Sequence, residues 1–133
     1  MDREIKFRGL YQIERTGEKR WDEYGISTKP TLIGAFWITK DLQYIGLNDI
    51  NNKNIYDGDI LKLKCYKIDR STQERISFYR YSVVEWYQSK YSVGWRLKNK
   101  SCCMMIKPMA LVTMEAEIIG SIFENPELLE VKK

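Results

Sequence analysis

Asp57 and Asp59 flank a glycine in the stretch YDGDILKLK, and they are the residues whose types and spacing first suggest chemistry. Two neighbouring carboxylates can divide acid and base roles or hold a hard cation, but either use needs a further carboxylate or a nucleophile beside them. Glu85 and Glu124 are the candidates, and no spacing in the chain brings them together. There is no histidine, so the commonest proton shuttle near neutral pH is missing. The competing reading is structural. Asp57 and Gly58 have the composition of a tight turn, and Ile60, Leu61 and Leu63 then alternate imperfectly with Lys62 and Lys64, as in a half-buried strand. The turn reading is preferred: no catalytic residue is assigned, and a metal-dependent hydrolase is the remotest of the functions considered.

Cys65, Cys102 and Cys103 are odd in number, and two of them are adjacent, where a disulfide is strained. They read as reduced thiols. With no histidine and no CxxC spacing, a zinc site would need carboxylates or a second chain to complete four ligands, so neither metal nor cofactor is expected.

A sharper signal is the distribution of charge. The 133 residues carry a net charge of +4, but residues 61 to 107 alone hold eleven cations against three anions, while residues 21 to 60 and 108 to 133 are each net acidic. Tyr79, Tyr81, Trp86, Tyr87, Tyr91 and Trp95 are interleaved with the basic residues. Cations neutralise phosphates and rings stack bases at roughly 1–3 kcal/mol each, so a sheet face bearing both would suit a nucleic-acid strand. Arg80, Trp86, Tyr87, Trp95, Arg96 and Lys98 are the binding candidates, for nucleic acid or for a protein partner. The nucleic-acid reading requires them to share a face. In FYRYSVVEWY one parity holds Phe78, Arg80, Ser82, Val84 and Trp86 and the other holds Tyr79, Tyr81, Val83, Glu85 and Tyr87, and a barrel must bury one set. Lysines on solvent faces commonly serve solubility or edge protection.

The elements that must position these residues are mostly strands. EIKFRGLYQI alternates in part and opens the chain as a strand; ERTGEKRWDEYG is a polar connection or ribbon tip; PTLIGAFWITK is a weak strand bulged at Gly34; LQYIGL is a short extended piece. NDINNKN, five of seven residues Asn or Asp, is a loop. After YDGD, strands are expected in DILKLK and FYRYSVVEWYQ with a polar loop or hairpin tip at KIDRSTQERIS between them, and SKYSVGWRLKNKS is expected to turn near Gly94 and continue as a further strand. In the apolar region after residue 102, Val112, Met114, Ala116 and Ile118 share one parity and suggest a strand, although a helix over ALVTMEAEII is the alternative. Asn125, Pro126 and Glu127 have the order of a helix start and predict one C-terminal helical turn.

At 133 residues the chain is long enough to bury roughly two thirds of its unfolded surface as one domain. Its start lacks the apolar run of about 7–15 residues of a signal peptide, and no segment reaches about 18 apolar residues, so a cytoplasmic protein without membrane contact is expected.

REIKFR, LQYIGLNDINNKNIYDGDILK, the VVEW strand followed by VGW, and the closing EIIGSIFENPELLE together resemble the YopX family of phage and prophage proteins. The likeness covers nearly the whole chain and departs from the family pattern mainly at residues 13 to 30 and 66 to 77. It implies a small SH3-like β-barrel built around the strand after YDGD, and a mobile-element protein of a bacterial cytoplasm. It brings no established activity. The expectation is thus a single, mainly β domain over residues 1–133, its barrel core near 56–124, with an N-terminal β extension and a short C-terminal helical turn. A non-enzymatic module that binds a host or phage protein, itself included, stands ahead of single-stranded nucleic-acid binding. In that reading Trp, Tyr and Arg, the residues that dominate protein interfaces, supply the contact, and the acidic and basic segments pair between chains in a homo-oligomer.

Overall fold

A computed structural model describes residues 5–100 and 103–130; Cys102 and the first residues of the opening strand motif lie outside them. The described residues are mainly β, 52% strand against 8% helix, which fits a chain rich in β-branched and aromatic residues. Five strands form the first sheet: β1 (Phe7–Ile13), β2 (Lys19–Tyr24), β3 (Ala35–Trp37), β4 (Leu42–Asn48) and β5 (Asn54–Tyr56). Their order is β2-β1-β4-β5, and β3 pairs the far end of the β1 edge that β4 also uses. The second sheet, curled into a half-barrel, takes β6 (Asp59–Ile68), β7 (Arg75–Gln88), β8 (Val93–Lys98), β9 (Cys103–Met105) and β10 (Glu117–Ser121) in the order β10-β6-β7-β8-β9. A short helix, α1 (Pro108–Thr113), precedes β10, and a 3-10 helix spans Pro126–Glu130. No helix among the described residues is long and apolar enough to cross a membrane.

Two segments differ from their expected forms. The polar stretch after Ile13 contains a full strand, β2, because an edge strand tolerates charges: its two faces carry Trp21, half-buried opposite Leu10, and Tyr24, buried opposite Phe7, among charged neighbours. The parity of Val112, Met114, Ala116 and Ile118 does not belong to one strand. Pro108 starts a helix, where its missing N–H costs nothing, and Leu111 is buried while Met109 and Val112 point to solvent at 73% and 71% exposure. Glu115, with φ +48°, breaks the helix, and only then does β10 begin. Gly34, at φ +73°, stands just before β3 and shortens that weak strand to three residues.

One hydrophobic cluster serves both sheets. Ile45 and Ile55 from the first sheet meet Leu61, Leu63, Val84 and Leu97 from the second, and Leu111 and Ala116 close one end. The cluster therefore extends upstream of residue 56. Each of the Ile, Leu and Val side chains contributes about 1.5–3 kcal/mol on full burial, so this shared cluster holds the two sheets together. Asp49 stitches the Asn-rich loop to this unit: its Oδ1 accepts the amides of Asn51 and Lys53 at 2.9 Å each, and its Oδ2 accepts the amide of Ile118 at 2.9 Å.

The YDGD corner is the second seam. Asp57 N donates to Gln43 O at 2.9 Å, Gly58 N to Val84 O at 2.8 Å, and Ile122 N to Gly58 O at 2.8 Å, so three amides tie it to β4, to β7 and to the segment after β10. Asp59 is fully buried. One of its oxygens is paired with the Arg8 guanidinium, and the other accepts Tyr56 N at 2.8 Å. Arg8 itself lies 4.1 Å from the centroid of the Trp21 ring and 4.8 Å from that of Tyr56, which replaces part of its lost hydration by ring faces. Burial pushes the Asp59 carboxyl up to about 6, with Arg8 and the Tyr56 amide opposing the shift.

Removing Arg8 leaves a buried carboxylate uncompensated. Arg8→Met is therefore expected to lose about 3–5 kcal/mol near neutral pH by urea unfolding. The loss has a definite pH dependence. Because Arg8 opposes the upward shift of Asp59, the variant's carboxyl titrates higher still. The folded variant then keeps a proton that the wild type has released, and its loss grows as pH rises above about 6. A loss independent of pH between about 5 and 8 would contradict the pairing. Gly58 is at φ +90°, and a Cβ there would lie 2.5 Å from the Phe123 ring. Gly58→Ala should accordingly cost about 1–3 kcal/mol in the same measurement, against a gain of under about 1 kcal/mol if the position were unstrained.

Candidate binding groove and basic face

The sheet register sorts the six residues singled out in the sequence. β6 and β7 pair Leu61 with Ser82, Leu63 with Arg80 and Cys65 with Phe78, and β7 and β8 pair Val84 with Leu97 and Trp86 with Trp95. Facing residues of an antiparallel pair lie on the same side of the sheet, so Arg80, Trp86 and Trp95 belong to the face that carries the core. Tyr87, Arg96 and Lys98 lie on the opposite face, with Lys62, Tyr79 and Tyr81. The six are thus divided three and three, and do not form the single basic aromatic face that the nucleic-acid reading requires.

On the outer face several of the cations are engaged within the chain. Arg96 Nε donates to Glu85 Oε2 at 2.6 Å, and its guanidinium sits 4.1 Å from the Tyr87 ring centroid. Both partners are largely covered, with side-chain exposures of 16% for Arg96 and 31% for Glu85. Lys62 lies over Tyr79 at 4.2 Å, Arg75 over Tyr66 at 3.7 Å, and Lys64 pairs with Glu115 at 3.6 Å. Arg80, on the core side, lies over Phe78 at 5.5 Å. Lys98 is exposed and borders a shallow hollow with Val83 and Pro126. Cys65 and Cys103 are free thiols.

On the core side, β7 and β8 run on past the packed cluster, and their next cross-strand pair is Trp86 with Trp95. The indoles meet edge to face, with centroids 5.2 Å apart and planes at 75°. Trp95 packs against the core, whereas Trp86 stays 51% exposed. They form one wall of an open groove of about 320 Å³ where the two sheets meet. Phe7, at the start of β1, supplies a third ring, and Gln43, its cross-strand partner on β4, supplies an amide. Asp57 enters from the corner, placed there by the Gly58 to Val84 and Asp57 to Gln43 backbone bonds. Lys40 and Asp41, ahead of β4, complete the rim.

The two rim carboxylates differ in their surroundings. Burial pushes the Asp57 carboxyl up; Lys40, whose ammonium is 3.9 Å away, opposes this, and Glu85 adds to it. Asp41 is held below its ordinary range by the Lys29 ammonium at 2.7 Å and by the Tyr24 hydroxyl, which donates to it at 2.5 Å. Asp57 is therefore the rim carboxylate with the weaker internal compensation. Its surroundings also differ from those of Asp59: Asp57 borders the groove beside Lys40, whereas Asp59 is fully buried and held by Arg8 and the Tyr56 amide. Among the described residues, no group of three or more Cys, Asp and Glu side chains is arranged to hold a metal ion.

Of the groove, Trp86 and Trp95 were among the sequence candidates, and Asp57 was singled out for a different chemistry. Phe7, Lys40, Asp41 and Gln43 were missed: they come from separate segments that only the meeting of β1, β4 and β7 brings together. The Trp-Trp facing pair had one local signal, the turn expected near Gly94; the turn itself lies at residues 89–92, Gly94 falls inside β8, and the register sets residue 86 opposite residue 95.

A comparison with curated proteins gives no match. The family model for the YopX protein matches residues 3–130, nearly the whole chain. With both of the long motifs that form the fold's seams inside that span, this chain is a member of the YopX family.

Proposed function

We propose that this protein is a non-catalytic accessory module of a phage or prophage, acting in the bacterial cytoplasm by binding protein, a second copy of itself included. In this reading the curled second sheet is an SH3-like barrel closed by the C-terminal helical turn, and the first sheet is its N-terminal extension. The observation that carries the proposal is Trp86, half exposed beside Trp95 at an open groove that the two sheets build together. A large ring held rigid by its neighbour and left in contact with water is the kind of residue on which protein interfaces concentrate their energy.

Single-stranded nucleic acid is the second reading, and the face geometry weighs against it. Arg96 is spent on Glu85 and Tyr87, and Lys62, Lys64 and Arg75 lie on rings or carboxylates of their own chain. A phosphate backbone would have to displace these contacts. The metal-dependent hydrolase reading has least support, because Asp59 is fully buried and held by Arg8 and the Tyr56 amide while Asp57 borders the groove.

The test compares wild type with Trp86→Ala, which gives up one ring contact of about 0.5–1.5 kcal/mol beyond the area the half-exposed ring buries and is expected to stay folded. Both are used as bait in a bacterial host extract at moderate salt, and both are examined by sedimentation for self-association. A retained protein or a defined oligomer that Trp86→Ala loses is the expected result. Equal behaviour of the two proteins would contradict the proposal. So would saturable binding of mixed-sequence single-stranded oligonucleotides whose affinity falls by orders of magnitude between about 50 and 200 mM salt.

A further inference from the structure

The groove has a chemical character that narrows what it can receive. Its wall is two indoles and a phenyl ring, and its rim carries two carboxylates against one ammonium, that of Lys40. Ring faces attract cations through their negative quadrupole, and carboxylates attract them directly, so both components favour the same sign of charge. A neutral apolar side chain would leave Asp57 with less water and no new partner, and an anionic one would face Asp57 and Asp41 together. A planar guanidinium satisfies both parts, since it stacks on an indole and can fork toward a carboxylate.

The chain shows the same preference internally. Where a guanidinium meets rings and a carboxylate elsewhere in this fold, they hold it together: Arg8 between Trp21 and Tyr56 with Asp59, and Arg96 over Tyr87 with Glu85. At the groove the rings and the carboxylate are present, and the cation is only approximated. The Lys40 side chain is 78% exposed and stands 3.9 Å from Asp57, a wider separation than in the pairs made by Arg8, Arg20, Lys29, Lys64 and Arg96. Lys40 also belongs to the segment leading into β4 rather than to a strand, so its side chain is not fixed by sheet pairing.

We propose that the groove bounded by Trp86, Trp95 and Asp57 receives the guanidinium of an arginine carried on an exposed segment of a partner protein, displacing the Lys40 ammonium from Asp57. This rests on the protein-binding reading above and names the chemistry of the partner. The bound guanidinium stacks on the exposed indole of Trp86 and pairs with Asp57, while Asp41 stays with Lys29 and Tyr24.

The test uses a short capped peptide with one arginine and no other charge, and the same peptide with citrulline, the neutral isostere of arginine. The indole N–H signals of the four tryptophans are followed by NMR during titration. The arginine peptide should shift the Trp86 and Trp95 signals saturably, with a dissociation constant on the order of a millimolar, and leave Trp21 and Trp37 in place. The citrulline peptide should bind at least about fivefold more weakly, Asp57→Asn should weaken the arginine peptide by a similar factor, and Lys40→Met should tighten it. Equal binding of the two peptides, or no shift with either, overturns the assignment. Indole shifts that follow the protein's own concentration without added peptide also overturn it, in favour of a second copy as occupant. These outcomes are separable from failure of the protein-binding reading. If Trp86→Ala still abolishes capture of a host protein while the arginine peptide does not bind, the groove is an interface and only its preference for arginine falls.

Discussion

The fold depends on a carboxylate buried where no charge would settle unaided. Asp59 opens β6 at the seam between the sheets, and it is kept there by the Arg8 guanidinium from β1 and the Tyr56 amide from β5. Both partners are acceptor-seeking donors, so the site needs two acceptor oxygens in one small side chain. Asparagine offers one, and a hydrophobic residue offers none. A buried pair of this kind need not add stability over an apolar core of equal shape, but it penalises any arrangement that leaves one partner alone. It thereby selects the docking of one sheet on the other, which the non-directional hydrophobic cluster of Ile45, Ile55, Leu61 and Leu63 does not do by itself.

The same logic explains why the motif residues are mostly unsuited to a functional site. Asp49 spends three acceptor contacts on the Asn-rich loop and on β10, Gly58 lies under Phe123, and Asn125 returns a backbone bond to Ser121 at 2.7 Å, beside a glycine where a Cβ would meet its side chain. Trp21 Nε1 donates to Glu124 at 2.7 Å and draws the C-terminal segment toward β2. These residues hold the molecule together. The groove lies next to them: Asp57 is one residue from Gly58 and two from Asp59, so the corner that locks the sheets also aims one carboxylate outward.

Local chemistry was the legible part of the sequence. The Asp-Gly turn, the Asn-rich loop and the long β7 strand, with its two parities, follow from residue types and short-range alternation, which act over a few positions. The helix at Pro108 was obscured because its exposed Val112 and its last residues happen to continue the parity of the following strand across the break at Glu115. β2 was obscured because an edge strand may be polar. The partnership of Arg8 with Asp59 spans 51 positions and carries no local pattern at all. Neither does the meeting of Phe7, Lys40 and Trp86. Sheet pairing alone decided that Arg80, Trp86 and Trp95 part company with Tyr87, Arg96 and Lys98, since the register between β6, β7 and β8 is a non-local quantity.

The central claim is that two aspartates two positions apart have different tasks, Asp59 to hold the sheets and Asp57 to line the open groove without holding the fold. Equilibrium urea unfolding of Asp57→Asn and Asp59→Asn, measured side by side near neutral pH, tests this most directly. Asp57 ionises against the cost of burial, so its amide variant should keep or slightly raise the wild-type midpoint. At residue 59 the amide presents an N–H to one of two donors, and the variant should lose about 1–3 kcal/mol. Equal losses at the two positions, or a larger loss at Asp57, would contradict the account.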